Sequence, residues 1–171
     1  MPAIADMRRA GIFMIIAGWL LLAGLIWWVM AGQMERRNNP NAGLAEVAGD
    51  VAREVVLQRG RDGHYRAPGR IDGHPVAFLV DTGATEVAIP KALADSIGLR
   101  AGRAFQAQTA NGPTVAYATR LASVSLGGLE AREVAGTIIA NPGSAEVLLG
   151  MSFLSRFDIA ISDGEMRLRA R

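Results

Sequence analysis

The sequence predicts an all-β domain, a barrel or sandwich with one or two short helices, preceded by one apolar N-terminal helix. Three observations point there. Turn signals at Asp72-Gly73, Asn111-Gly112, Gly127-Gly128 and Asp163-Gly164 punctuate residues 53–171 at the spacing of a many-stranded domain. Between them the apolar residues alternate, or form runs too short for most helices. Ahead of them, Ala10 to Ala31 carries no charged residue and reaches the roughly 20 apolar residues that span a bilayer as a helix.

Residues 1–9 read as a cytoplasmic tail and residues 10–32 as a transmembrane helix. All three tryptophans, Trp19, Trp27 and Trp28, lie in that span, the last two near its end, where aromatic rings favour the headgroup zone. Cleaved signal peptides have apolar cores of roughly 7–15 residues. This stretch is longer, so a retained anchor is expected. Arg8 and Arg9 before the span nearly balance Arg36 and Arg37 after it. The short N-terminal tail then favours an inside N-terminus, with the C-terminal domain outside the cytoplasm. Residues 33–52 read as a linker, marked by Asn38-Asn39-Pro40-Asn41, followed by a short amphipathic helix from Leu44 to Ala52.

From Arg53 the period becomes that of strands. Strands are expected over Glu54 to Arg59, His64 to Ile71, His74 to Val80 and Val87 to Ile89. A helix from Lys91 to Ile97 follows, with Pro90 at its start and Gly98 past its end. Further strands are expected over Ala104 to Ala110, Thr114 to Thr119, Leu121 to Leu126, Glu133 to Ala140 and Val147 to Gly150. A helical turn or two from Met151 to Arg156 leads to a final hairpin, Asp158 to Ser162 and Glu165 to Arg169. Phe78 and Leu79 are candidate core residues, as are Met151 and Phe153.

The 171 residues contain no cysteine and carry a net charge of +2. Disulfides, thiolate metal sites and a cysteine nucleophile are excluded. No basic block points to nucleic acid. Arg167, Arg169 and Arg171 alternate as on a solvated strand. His64 and His74 read as surface residues, and no group has zinc-ligand spacing, so no metal is expected.

The chemistry concentrates in Val80-Asp81-Thr82-Gly83-Ala84-Thr85. Asp81 ends an apolar run, and a carboxylate at the end of a buried strand is costly to ionise. Gly83 allows a sharp turn and frees an N–H for an acid oxygen. Thr85 is placed to offer its hydroxyl from the other side, and Thr82 to reach a partner chain. Glu86 adjoins the motif as a solvated acid. One carboxylate is a weak hydrolytic device. Two held about 3 Å apart share one proton, so one acts as base and the other as acid.

Three stretches resemble the retropepsin-type aspartic proteases, in particular their bacterial membrane-anchored branch. Leu79 to Thr85 is similar to the family's Asp-Thr-Gly-Ala-Ser/Thr loop. The hairpin from Gln106 to Ala118, with Thr109, Ala110, Asn111 and Gly112 at its tip, resembles the flap. Val147-Leu148-Leu149-Gly150, with the helix after it, resembles the strand that braces the active loop. The resemblance implies a single-lobe, closed acid-protease barrel. It implies an aspartic endopeptidase that acts on protein or peptide substrates without a cofactor. Asp81 is then the catalytic acid/base, and Thr82, Gly83, Ala84 and Thr85 support its loop. Leu148, Leu149 and Gly150 form the brace, and residues 109–112 close over substrate. There is room for one lobe, so a homodimer is required. Pro113 after Gly112, and a C-terminus that folds as its own hairpin, depart from the viral pattern. The implied location is the inner membrane, with the domain periplasmic. A catalytically silent peptide-binding or dimerisation module of the same fold is the alternative.

Overall fold

The computed structural model describes residues 14, 16–30, 39–44, 53–109, 112–140 and 146–171. It divides into two compact units, Met1–Asn38 and Asn39–Arg171. In the first, residues 16–30 form a helix, α1, whose large apolar side chains, Trp19, Trp27 and Trp28 among them, are exposed. At 1.5 Å per residue these 15 positions extend about 22 Å, against about 30 Å of bilayer core. Among the described residues no helix is long and apolar enough to cross a membrane. The rest of the expected 10–32 span lies outside the described residues.

The second unit is β-rich. Strands β1 (Glu54–Gln58), β2 (Tyr65–Ile71), β3 (His74–Val80) and β4 (Val87–Pro90) lead to helix α2 (Lys91–Ser96). Strands β5 (Ala104–Thr109), β6 (Gly112–Leu126), β7 (Leu129–Ile139) and β8 (Val147–Leu149) follow. Helix α3 (Met151–Leu154) and the hairpin β9 (Phe157–Ser162) and β10 (Glu165–Ala170) end the chain. The main sheet runs β2-β3-β8-β4-β7-β6-β5, and β2 also pairs with β6. That second pairing closes six strands, β2, β3, β8, β4, β7 and β6, into a barrel and leaves β5 as an outer strand. The smaller sheet, β1-β10-β9, contributes Leu57, Met166 and Leu168 to the same core.

The turn signals account for the hairpins. Asp72-Gly73, Gly127-Gly128 and Asp163-Gly164 each connect directly paired strand ends, and both residues of each pair have positive φ. That is the backbone a two-residue hairpin requires. Asp72 also locks the barrel closure. Its carboxylate accepts from the Ser123 amide at 2.8 Å, and its own amide donates to the Ser123 carbonyl at 3.0 Å.

The structure corrects four expectations. Residues 112–126 form one strand rather than two, because nothing around Arg120 breaks the alternation. The first half of β6 pairs with β5, its last residues pair with β2, and β7 runs along most of its length. Strand β7 starts at Leu129, four residues earlier than expected, directly after the Gly127-Gly128 turn. Thr109 pairs with Gly112, so Gly112 opens β6 instead of sitting within a turn. Phe78 is fully buried, but Leu79 is only partly so, because neighbouring strand residues face opposite sides. The amphipathic helix expected over 44–52 lies, apart from Leu44, outside the described residues. Leu44 is not helical and packs against the core.

Polar contacts fasten the segment before β1. Asn41 is 4% exposed. Its amide nitrogen donates to the carbonyls of Gln58 and Arg66 at 2.9 and 2.7 Å, and its oxygen accepts from the Gln58 amide at 2.7 Å. Residues 39–44 are thereby tied to both β1 and β2. Opposite, Arg167 and Arg169 meet Glu54, and Arg171 meets Asp158. The alternating arginines form a solvated, ion-paired face.

Removing the Asn41 clasp leaves buried backbone groups unsatisfied. Asn41→Ala is expected to lower unfolding stability by about 2 kcal/mol, measured by urea titration. A change within about 0.5 kcal/mol would show that residues 39–44 contribute little to the fold.

Candidate active site

Asp81 sits where β3 ends and β8 inserts. Strand β8 lies between β3, to which it is parallel, and β4, to which it is antiparallel. The Asp81 amide donates to the Leu149 carbonyl at 3.2 Å, so the ladder continues to the acid itself. The chain then turns out of the barrel. Ala84 N donates to Asp81 O at 3.2 Å, and the Gly83 amide donates to Asp81 Oδ1 at 2.8 Å. This charge-assisted bond fixes the carboxylate direction. A Cβ at Gly83 would lie 3.1 Å from that same oxygen, which makes glycine the best-fitting residue there.

The loop is held from below by backbone. Met151 N donates to Ala84 O at 2.8 Å and Ser152 N to Thr85 O at 2.9 Å. The first amides of a helix lack intrahelical partners, and here the active loop's carbonyls supply them. Gly150 makes this approach possible. A Cβ there would lie 2.2 Å from Glu86 O and 2.7 Å from Ala84 O. Ser152 adds a side-chain fastener: its hydroxyl donates to Ala135 O at 2.7 Å and accepts from Val87 N at 3.1 Å.

An open cleft of about 540 Å³ lies over the acid. One side is Asp81, Gly83, Ala84, Thr85, Glu86 and Ala88. Across from it are Phe105, Ala107, Gln108 and Thr109 of β5, with Thr137, Ile139 and Leu148 also lining the cleft. Of the brace residues, Leu149 is fully buried, Gly150 is buried, and Leu148 reaches the cleft. Thr82 is exposed, and its hydroxyl has no partner among the described residues. Thr85 is exposed too. Its hydroxyl makes no bond to Asp81 in the single chain; its carbonyl, bonded to Ser152, is the structural contact. At the expected flap tip, Thr109 Oγ1 donates to Gly112 O at 2.8 Å, while Ala110 and Asn111 lie outside the described residues.

Sequence reading missed several of these parts. Ser152 carries no local signal, and only the fold brings it to Val87 and Ala135. Thr137 joins the site through the β4–β7 register, which no local pattern predicts. Phe105 was legible: it alternates with Ala107 and Thr109 on one face of β5. Glu86, expected to be solvated, is half-buried and accepts from Thr137 Oγ1 at 2.5 Å.

A closed barrel with a strand-end aspartate, its loop braced by an inserted strand and a glycine, defines one lobe of an acid-protease fold. Residues 67–156 match the family described as "gag-polyprotein putative aspartyl protease". A retropepsin-like aspartic protease from Rickettsia conorii, known from a crystal structure, is similar at 32% identity and a TM-score of 0.58. The match covers 68% of this chain and 90% of that one. An uncharacterised protein encoded in the cobV 5′ region of a Sinorhizobium species is 36% identical over 68% of this chain and 52% of its own length. An uncharacterised Rickettsia prowazekii protein is 32% identical over 61% of this chain and 46% of its own. The chain thus spans about half the length of these curated relatives. It belongs to the retropepsin-like aspartic protease family.

Ser152→Ala removes two hydrogen bonds beneath the loop without touching Asp81. It is expected to destabilise the fold by about 2 kcal/mol, read by thermal or urea unfolding. Gly150→Ala forces backbone apart and is expected to cost at least about 3 kcal/mol. Equal stability of Gly150→Ala and wild type would contradict the close approach.

Proposed function

We propose that this chain is an aspartic endopeptidase that works as a homodimer and is held to a membrane by its N-terminal helix. The observation that carries this reading is the half-built site. Asp81 is oriented by the Gly83 amide at the floor of a cleft open to solvent, and Glu86, the other carboxylate among the described lining residues, is bonded to Thr137 instead. The pair of facing acids that hydrolysis needs then comes from Asp81 of a second copy across a two-fold axis.

Two such carboxylates, held face to face, share one proton. The ionised member takes a proton from a water whose oxygen attacks the peptide carbonyl carbon. The protonated member donates to the carbonyl oxygen, which gives a tetrahedral gem-diol. In collapse, a hydroxyl proton returns to one carboxylate, the other protonates the nitrogen, and the C–N bond breaks. The dyad ends as it began, with one proton. Thr82, exposed and with no hydroxyl partner among the described residues, would make the inter-chain contact. Residues 109–112 act as the flap that excludes water on closure.

The uncharged stretch from Ala10 to Ala31 and the exposed apolar face of α1 support a single-pass inner-membrane anchor with a periplasmic domain. Confinement to a membrane raises the effective concentration of chains and so favours pairing.

Asp81→Asn is expected to lower kcat/KM on peptide substrates by about 10³-fold or more, whereas equal cleavage by both proteins would sink the proteolytic reading. Specific activity of the detergent-solubilised chain is expected to fall on dilution as dimers separate. Activity per chain that is constant across dilution, into the range where the chain sediments as a monomer, would remove the dimer. For the anchor, alkaline phosphatase fused after Arg171 is expected to be active, and the chain to stay in the membrane pellet after carbonate washing. Activity restricted to a cytoplasmic reporter would reverse the topology.

A further inference from the structure

The cleft beside Asp81 is mostly apolar. Ala84, Ala88, Phe105, Ala107, Ile139 and Leu148 supply its apolar wall, and Asp81 and Glu86 are its charged members among the described lining residues. Glu86 is held in a fixed direction. Thr137, only 9% exposed, donates to its Oε2 from β7, and the backbone of Thr137 is set by pairing with Ala88 and Ala118. No arginine or lysine pairs with Glu86 among the described residues. A carboxylate oriented by one barrel hydroxyl, with its second oxygen unpartnered among the described residues and an apolar wall around it, is a receptor for a cation on an aliphatic stem. Such a stem packs on the alanines and Phe105 while its charged end reaches Oε1.

We propose that Glu86 is a specificity residue that makes this cleft select peptides bearing lysine or arginine near the scissile bond. This rests on the proteolytic reading for the position of that bond, though not for binding itself. In a two-fold dimer the second Glu86 stands on the other side of the dyad, so cationic side chains are favoured on both sides of the cut. Substrate covering the cleft displaces water from the pair and strengthens it relative to an exposed ion pair. Thr137 is the positioning residue: it aims the carboxylate and does not touch substrate.

The test uses the full chain in detergent and extended-peptide libraries in which single positions are Lys, Gln or Glu. Binding is measured to Asp81→Asn protein, with and without Glu86→Gln or Glu86→Arg, and cleavage is measured with wild type. Urea unfolding confirms that each variant is folded. Lys peptides are expected to bind roughly tenfold tighter than their Gln counterparts. The ratio falls to near one in Glu86→Gln, where the amide still bonds Thr137, and Glu86→Arg turns the preference toward Glu. A Lys/Gln ratio near one with Glu86 present, a ratio unchanged by Glu86→Gln, or no binding by any peptide overturns the proposal. Selective binding without cleavage by wild type would reject the protease and retain the cation site. Charge-blind cleavage would do the reverse.

Discussion

The site depends on one close passage of backbone against backbone. At Gly150 the chain leaves β8 and enters α3 directly beneath the carbonyls of Ala84 and Glu86, with no space for even a methyl group. The absent side chain lets the amides of Met151 and Ser152 reach the loop. Those bonds hold the loop against the barrel, and the loop in turn aims Gly83 at Asp81. Strand β8 is only three residues long, yet it sits between β3 and β4 and joins both halves of the barrel. Widening that passage would displace the acid and loosen the sheet together.

Much of this could be read from local pattern. The two-residue turns were legible because positive φ at both positions strongly favours Asp-Gly and Gly-Gly pairs. The Asp-Thr-Gly loop and the Leu-Leu-Gly brace were legible because each requires a particular small or apolar residue at a fixed place. Long-range register was not. Nothing near Arg120 announces that one strand serves the β5 hairpin, the barrel and its closure, since alternation continues unbroken through both segments. Ser152 and Thr137 carry no local signal: their hydroxyls matter only because separate strands bring Val87, Ala135 and Glu86 to them. Asn41 was read as linker composition, and only the packed structure identifies it as a buried fastener.

Asp81 and Glu86 occupy one short loop under different constraints. Asp81 is oriented by the backbone of its own turn, a contact that needs only glycine two positions on. Glu86 is oriented by a side chain on a different strand, so its direction depends on the β4–β7 pairing being in register. The first contact is made within the loop and the second across the barrel, so a change at Glu86 leaves the bond from the Gly83 amide to Asp81 in place.

Asn41 has a mechanical consequence. A tension applied from the N-terminal side reaches the β domain through residues 39–44 before it reaches β1. The Asn41 amide spans Gln58 and Arg66, so its three bonds share such a load across two strands from different sheets. Without it, the load would fall on the pairing of β1 with β10, which could open one residue at a time. The clasp therefore acts as a strain relief at the point where the chain enters the fold.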